Sequence, residues 1–451
     1  MSSNVEVKHP KGLYLLFFVE LWERFSYYGM RALLMLYIIH GLFAEVNNIT
    51  ATKIAGNIYG WYTGLVYLTP LLGGYLADRY LGQRKCISIG AVLKIVGLFA
   101  LAMSDIFSTR SNNLLLFAVG LLMMTFGNGF LKSNISIIVG SLYDEKNKEK
   151  RDAGFTIFYM GINIGGLLAP IICGTLAQLY GFRYGFLTAS AGMLIGYIMY
   201  KLLEKPLLGE HGLKPYTKLL QEKKTQVVQK LTSQEKGQIV ILTILMFFTA
   251  VFWMGQEQAG ASLTLFAENE TRRAMTLFGK MFVMPSQYFQ SINPIVIISC
   301  APIASFIWSF LGSKGKEPSS ITKFNIGLFL NTIGFFIMFL ASKEAERGLV
   351  SPLWLIGFYF VTTLGELCLS PVGLSLVSKL SPIRFASIMM GFWFLGPFLG
   401  NLSAGLMSSH YASISHDSFY LLIAIISLIT FLILSLITPI LNNVIRSNNV
   451  K

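Results

Sequence analysis

The residues best able to do chemistry are charged side chains within long apolar stretches. A charged side chain facing lipid costs about 2.5–3.5 kcal/mol or more, so each is expected to face a water-filled cavity or an oppositely charged partner. Some pairs could serve only to fix helix packing, but a set of this size favours a functional cavity. Four residues are acidic and four are basic: Glu20, Glu23, Glu257, Glu366, Arg24, Arg31, Lys94 and Lys132.

The stretch ELWERFSYYGMR, which begins at Glu20, concentrates this chemistry. On a helix its polar side chains fall within an arc of about 140°, so they share one inward face. A carboxylate that gains a proton releases a paired guanidinium, and a freed guanidinium can hold a carboxylate ligand. This face can therefore couple protons to a ligand. It consists of Glu20, Glu23, Arg24, Tyr27, Tyr28 and Arg31.

Two lysines lie in other apolar stretches. Lys132 follows two glycines in GNGFLKSNIS, which permit close helix approach, and it could pair with a glutamate or bind a carboxylate. Lys94 could reach the cytoplasmic interface or face the cavity, and the sequence leaves both open. No histidine lies deep in an apolar stretch, so a proton carrier is expected to be a glutamate.

Further polar groups recur at helical spacing. Tyr159 and Asn163 are four residues apart in FYMGINIGGLLAP, as are Glu366 and Ser370 in GELCLSPVGLS. Asn293 lies in FQSINP. Glu257 lies in GQEQAG, and Trp393, in GFWFLGP, could be simple lipid-facing bulk.

These groups must be positioned by membrane-spanning helices. Of 451 residues, 54% are hydrophobic and 13% charged, and the apolar runs approach the roughly 20 residues that span a bilayer. Such long continuous runs predict helices, because barrel strands are shorter. We predict an all-α membrane protein with twelve transmembrane helices. The spans cover about 13–39, 54–76, 86–103, 114–139, 153–179, 184–203, 239–267, 292–311, 324–340, 352–377, 385–407 and 419–441.

The polar loop Glu204–Lys236 divides six spans from six. We predict an N-terminal bundle over 1–203, a cytoplasmic linker over 204–236 and a C-terminal bundle over 237–451, with the binding site near the midplane between the halves. Lys and Arg are roughly threefold more abundant on the side that carries this loop, which predicts cytoplasmic termini in a cell membrane. The net charge of +14 therefore reflects orientation rather than nucleic-acid binding.

Other classes of protein fit less well. The four cysteines lie scattered in apolar segments without metal or disulfide spacing, and no cofactor is expected. A membrane-embedded enzyme would need a metal cluster or a nucleophile with its base, and the sequence offers neither. A channel is disfavoured because the first span carries exchangeable ion pairs rather than repeated polar rings.

Taken in order, these strings resemble the proton-dependent oligopeptide transporter family of the major facilitator superfamily. The stretch from Glu20 to Arg31 is similar to that family's first-helix signature, FYMGINIGGL to its fifth and GELCLSPVGLS to its tenth. EQAGASLTLFA, FQSINP and GFWFLG are similar to its seventh, eighth and eleventh helices. GGYLADRYLGQRK resembles the superfamily loop between helices 2 and 3.

The resemblance implies proton-coupled import of di- and tripeptides by a protein that acts as a monomer. It implies proton coupling and carboxylate binding by Glu20, Glu23, Arg24 and Lys132, and proton handling near the mouth by Glu257. The peptide amine would be held by Asn163, Asn293 and Glu366, with Ser370 nearby. The pocket would be lined by Tyr27, Tyr28, Arg31, Tyr67, Tyr159 and Trp393.

The chain departs from this family in places. Ser133 stands where the family usually has proline, and Tyr288 where tryptophan is common, which bears on the gate and the side-chain preference. Many bacterial members carry two extra helices between the halves, but the loop here is too short and polar for them. Nitrate, drug-like amines, or one selected amino acid or peptide are alternative substrates on the same scaffold.

The predicted topology can be tested by cysteine labelling at Leu220, within the polar loop. We expect a membrane-impermeant thiol reagent added outside to miss Leu220→Cys, because no apolar run there approaches the roughly 17 residues needed to span. Permeabilised cells provide the control, in which the same cysteine should react. Efficient external labelling of intact cells would contradict the topology.

Overall fold

The computed structural model describes residues 9–104, 106–107, 109–143, 148–215, 232–277, 279–381 and 386–449. These residues are mainly α-helical, as predicted. The earlier helices are α1 (Lys11–Tyr37), α2 (Asn48–Leu76), α3 (Gln83–Ala102), α4 (Arg110–Ser141), α5 (Lys148–Tyr180), α6 (Phe182–Leu208) and α7 (Ser233–Gln256). The later helices are α8 (Ser262–Asn269), α9 (Ile292–Ser313), α10 (Ser320–Ala345), α11 (Leu353–Leu380), α12 (Ala386–Trp393), α13 (Leu395–Ser408) and α14 (His416–Asn449).

The predicted spans all coincide with helical segments. In the described part of the chain, nine helical segments are long and apolar enough to cross a membrane by length and composition. Helix α1 is not among them, since it carries Glu20, Glu23 and Arg24 in its middle. The helices and their apolar surfaces confirm the predicted all-α membrane fold.

The chain divides into two compact units. The first comprises Met1–Met30 and Thr69–Thr225, and the second comprises Arg31–Leu68 and Gln226–Lys451. The last turns of α1 and most of α2 thus belong to the second unit. The division into bundles at the polar loop remains a prediction.

In the first unit, glycines let helices approach closely. Helices α3 and α4 meet at Gly97 and Gly120, where a β-carbon on either would lie 2.9 Å from the other's carbonyl oxygen. About two helical turns away along both helices, Gly90 meets Gly127 in the same way. Without a hydrophobic force between helices in lipid, such small-residue contacts supply the packing.

In the second unit, α7, α10, α11 and α14 bury a shared apolar core that includes Leu242, Met246, Phe324, Leu376 and Leu434. Helix α2 packs on α13 through glycines. A β-carbon on Gly60 would lie 2.9 Å from the α-carbon of Gly405, and one on Gly56 would lie 2.4 Å from the backbone nitrogen of Ser409. The two backbones are therefore nearly in contact.

Two predicted spans are interrupted. The span over 239–267 contains α7, a 3₁₀ turn over Glu257–Gly260 and α8, and the span over 385–407 is split into α12 and α13 at Phe394. A short hairpin, β1 (Ala274–Leu277) and β2 (Lys280–Val283), follows α8 and was not predicted. It pairs Ala274 with Val283 in antiparallel register.

The predicted linker is only partly described. Helix α6 continues to Leu208, and α7 begins at Ser233 with a capping box between Thr232 and Glu235. Residues 216–231, including the labelling position, lie outside the described residues. Where the linker starts, the buried side chain of Arg84 donates to the carbonyls of Gly209 and His211, at 2.6 and 2.7 Å. The first part of the linker is therefore held to the first turn of α3.

Neighbouring glycines on α2 test the close-packing argument. A β-carbon on Gly73 would lie 2.1 Å from the carbonyl oxygen of Gly129, whereas one on Gly74 would meet only the Ser133 hydroxyl, at 3.7 Å. We expect Gly73→Ala to lower the free energy of unfolding by about 1–3 kcal/mol, the usual cost of overpacking. Gly74→Ala is the matched control and should leave the thermal midpoint in detergent unchanged. Equal midpoints for the two variants would contradict the packing.

Candidate functional site

A cluster of buried charges lies at the middle of α1. The side chain of Glu23 is fully buried, and Glu20 and Arg24 are only 3% and 4% exposed. The Arg24 Nε lies 3.0 Å from the Glu20 Oε1 and also contacts the Glu23 Oε2. One guanidinium, that of Arg24, therefore contacts two carboxylates that lie on the same face of α1.

A lysine from α3 completes this ion-pair cluster. The Lys94 Nζ donates to the Glu23 Oε1, and both side chains are fully buried. The alternative in which Lys94 reaches the cytoplasmic interface is therefore excluded. Gly127 on α4 makes room for this lysine, because a β-carbon there would lie 2.7 Å from the Lys94 Cγ. The glycine noted in the sequence thus accommodates the Lys94 side chain.

Glycines on α5 and α6 hold α1 in place. A β-carbon on Gly165 of α5 would lie 2.3 Å from the Leu21 carbonyl oxygen and 3.0 Å from the Arg24 Cβ. On α6, Gly192 and Gly196 leave space for the rings of Phe25 and Trp22. Such close approach fixes the α1 backbone next to the charges, which limits the movement of Arg24.

Tyr27 and Lys132 border the cluster. The Tyr27 ring centroid lies 5.6 Å from the Arg24 Cζ and 5.8 Å from the Lys94 Nζ, within the range of cation–π attraction. Tyr28 meets Tyr27 edge to face, with centroids 5.3 Å apart. Lys132 of α4 is half-buried, and its charge acts on both Glu20 and Glu23. Lys132 is therefore close enough for its charge to act on the cluster, and its role stays a prediction.

The polar pair on α5 is divided between two environments. Asn163 is buried and its amide donates to the Tyr159 carbonyl at 3.0 Å, while the Tyr159 side chain is 44% exposed. The two residues therefore lie one turn apart, with the amide turned onto its own helix.

In the second unit, Arg31 pairs with Glu257 across 2.9 Å, both side chains being largely buried. Glu257 lies where α7 gives way to the 3₁₀ turn. Its carbonyl oxygen accepts a hydrogen bond from the Tyr59 hydroxyl at 3.3 Å. A break inside a span frees backbone groups that a neighbouring helix must satisfy, and Tyr59 of α2 does so.

A second carboxylate of this unit has neutral partners. The Asn293 amide donates to the Glu366 Oε2 at 2.8 Å and to the Thr363 hydroxyl at 3.0 Å. Within the described residues Glu366 forms no ion pair. It is a half-buried carboxylate whose hydrogen-bond partner carries no charge.

The remaining predicted residues of this unit differ in exposure. Trp393 is 5% exposed and meets Phe324 edge to face, so the interpretation as lipid-facing bulk is wrong. Burial against Gly373, where a β-carbon would lie 2.7 Å from the ring, explains the difference. Tyr67 is half-buried. The Ser370 hydroxyl is buried and has no hydrogen-bond partner among the described residues.

Sequence reasoning missed three contacts. It left the partner of Lys94 open, and it did not single out Tyr59 or Thr363. The lone charge in GAVLKIVG was the signal for the first. Tyr59 and Thr363 carry no charge and resemble many polar residues in spans, so their sequence offered none.

Comparison with known proteins identifies a family for this arrangement. The POT family profile matches residues 84–205 and 209–428. The uncharacterized transporter YclF of Bacillus subtilis is 34% identical, over 97% of this chain and 95% of its own. A di-/tripeptide transporter of Lactococcus lactis subsp. lactis is 32% identical, over 95% of each chain.

A solved structure supports the same family assignment. The crystal structure of a POT family transporter in complex with 5-aminolevulinic acid superposes with a TM-score of 0.84. It is 30% identical in sequence, with 96% of this chain and 97% of that one covered. The match confirms the predicted family resemblance and its helical fold, and it identifies a membrane transporter rather than an enzyme. By sequence and by fold, this chain belongs to the POT family.

Proposed function

We propose that this protein is a proton-coupled symporter that imports di- and tripeptides by alternating access. The observation that carries the proposal is the buried cluster in which Arg24 contacts both Glu20 and Glu23. Relatives in the POT family are named as di-/tripeptide transporters, which supports peptides as the substrate class. We further propose that it acts as a monomer in the cytoplasmic membrane with both termini inside.

Proton coupling follows from the shared guanidinium. With both carboxylates charged, Arg24 is held by two anions, and its freedom to bind another anion is small. A proton on one carboxylate weakens that hold, so Arg24 and the neighbouring Lys132 can attract the carboxylate of a peptide. Proton binding and peptide binding then favour each other, because each reduces the cost of the other.

The pair of Arg31 and Glu257 provides a second proton-dependent contact. It joins α1 to the break after α7 at 2.9 Å. A proton on Glu257 would remove the charge that holds Arg31, which would loosen α1 and α2 from this part of the unit. We propose that Glu257 thereby handles protons near the outer mouth.

The peptide amine is proposed to bind Glu366. Every unmodified peptide carries a cationic amine and an anionic carboxylate, so a site can recognise both without reading side chains. Glu366 has the amide of Asn293 as a partner and no ion pair within the described residues, which leaves its charge for a ligand cation. Asn163 and Ser370 are proposed as neutral partners and Tyr27, Tyr28, Tyr67, Tyr159 and Trp393 as lining.

The coupling proposal predicts a separation of accumulation from exchange. In proteoliposomes with an inward proton gradient, we expect the parent protein to accumulate labelled dialanine. Glu23→Gln should abolish accumulation, because Arg24 would then have only one anionic partner and could bind dialanine without a proton on Glu20. Part of the exchange of dialanine across the membrane should remain, because exchange needs no net proton movement. Lys132→Ala should lower gradient-driven uptake by about tenfold or more, the effect of losing roughly 1.4 kcal/mol.

Glu317→Gln provides the matched control. It makes the same chemical change at a carboxylate that is 47% exposed and pairs with Lys323, and it should leave accumulation intact. Normal accumulation by Glu23→Gln would remove this cluster from the mechanism. Uptake by the parent that dipeptides do not inhibit, but nitrate or an amine does, would replace the substrate class.

The amine proposal predicts two losses that do not add. Glu366→Gln should weaken dialanine binding by about 1.5–3 kcal/mol, the usual worth of a charge-assisted hydrogen bond. N-acetyl-dialanine should bind the parent protein more weakly by a similar amount. In the Glu366→Gln protein, acetylation should cost little more, because both changes delete the same pair. Competition binding at fixed pH measures all four affinities, and a full acetylation penalty in the variant would exclude Glu366 as the amine partner.

A further inference from the structure

Glu23 and Glu20 differ in how their oxygens are used. The two oxygens of Glu23 contact different cations, Lys94 at Oε1 and Arg24 at Oε2. Glu20 contacts Arg24 through Oε1 alone. Its Oε2 is buried and accepts no hydrogen bond from the described part of the chain.

This difference assigns different tasks to the two carboxylates. A proton on Glu23 would have to displace a cation from a fully buried oxygen, and it would leave the Lys94 ammonium buried without its anion. Removing one partner of a buried ion pair is strongly destabilising, because the other charge is left buried without compensation. A proton on the Glu20 Oε2 displaces nothing and leaves Oε1 beside Arg24.

We propose that Lys94 is a positioning residue that keeps Glu23 charged and paired, so that Glu20 is the carboxylate that gains and loses the transported proton. This rests on the proposed function. The proton adds to the Glu20 Oε2 on binding and leaves from the same oxygen on release, with no other bond made or broken.

The charge count of the cluster makes the proposal testable. Together with the bordering Lys132, the cluster has two carboxylates (Glu20 and Glu23) and three cations (Arg24, Lys94 and Lys132), a formal surplus of one positive charge. Removing Lys94 lowers this surplus by one, removing Glu23 raises it by one, and removing both restores it. The charged and titratable groups in and around the cluster are Glu20, Glu23, Arg24, Tyr27, Tyr28, Lys94 and Lys132.

The sign of each shift follows from electrostatics. Loss of a nearby cation favours the protonated, neutral form of Glu20, so the pH at half-maximal dialanine exchange should rise in Lys94→Met. Loss of a nearby anion favours the carboxylate, so that pH should fall in Glu23→Gln. Each shift is expected to be about one pH unit, a tenfold change in proton affinity. The Lys94→Met/Glu23→Gln double variant should return to within a few tenths of the parent.

The experiment measures dialanine exchange by the full-length protein in proteoliposomes across a pH series. In Glu20→Gln, the pH dependence that protonation of Glu20 gives to dialanine exchange should disappear. Lys94→Arg should keep the parent profile, because it retains the charge. Lys323→Met removes a lysine from a different ion pair, with Glu317, and should leave the profile unshifted.

Several results would overturn the proposal. One is an unshifted pH profile in Lys94→Met, and another is a shift of the same sign in both single variants. A double variant whose profile does not return to that of the parent, or a pH dependence that persists in Glu20→Gln, would also overturn it. If Lys94→Met does not fold, the remaining two variants still test the proposal. The pH at half-maximal exchange should fall in Glu23→Gln and should return to the parent value in the charge-balanced double variant. Failure of the parent to accumulate dialanine would instead reject the proposed function, which keeps the two outcomes distinct.

Discussion

A charge removed from water must meet an opposite charge, and much of the first unit follows from this requirement. Glu23 is fully buried, and its two oxygens contact Arg24 and Lys94. To bring Lys94 there, α3 must pack closely on α4, and Gly127 leaves the space through which the lysine chain passes. To hold Arg24 there, α5 must approach α1 until Gly165 lies against the Leu21 carbonyl. The glycines of these helices therefore allow close helix packing and also leave space for the side chains that form the ion pairs.

The second unit meets the same requirement with separate groups. Arg31 neutralises Glu257, while Glu366 has the neutral amide of Asn293. The break after α7 places Glu257 at the end of a helix, where Tyr59 satisfies its carbonyl oxygen. One acidic group is thus held by a cation from the chain itself, and another remains suited to a cation from a ligand. This division of charge would suit the proposed carrier of zwitterionic peptides.

Much of this arrangement could be predicted from sequence. Apolar runs located the long helical segments of the described residues, and helical periodicity placed Glu20, Glu23 and Arg24 on one face, because both signals depend only on local spacing. The break at Glu257 was missed, because the hydroxyl that satisfies its carbonyl oxygen comes from Tyr59, which is distant in sequence. The partner of Lys94 was likewise undetermined, because a lone lysine gives no direction along which to find its carboxylate. Arg31 shares the face of Glu20 in the sequence pattern, yet it pairs with Glu257.

The central claim is that peptide entry and proton entry are one event. It is tested most directly by trapping a pH-sensitive dye inside proteoliposomes of the parent protein and adding dialanine outside, with equal pH on both sides and the membrane potential clamped at zero. If proton and peptide enter together, the interior should acidify when dialanine begins to enter, and the extent of acidification should increase with the amount of dialanine taken up. Dialanine entry at a normal rate without acidification would contradict it.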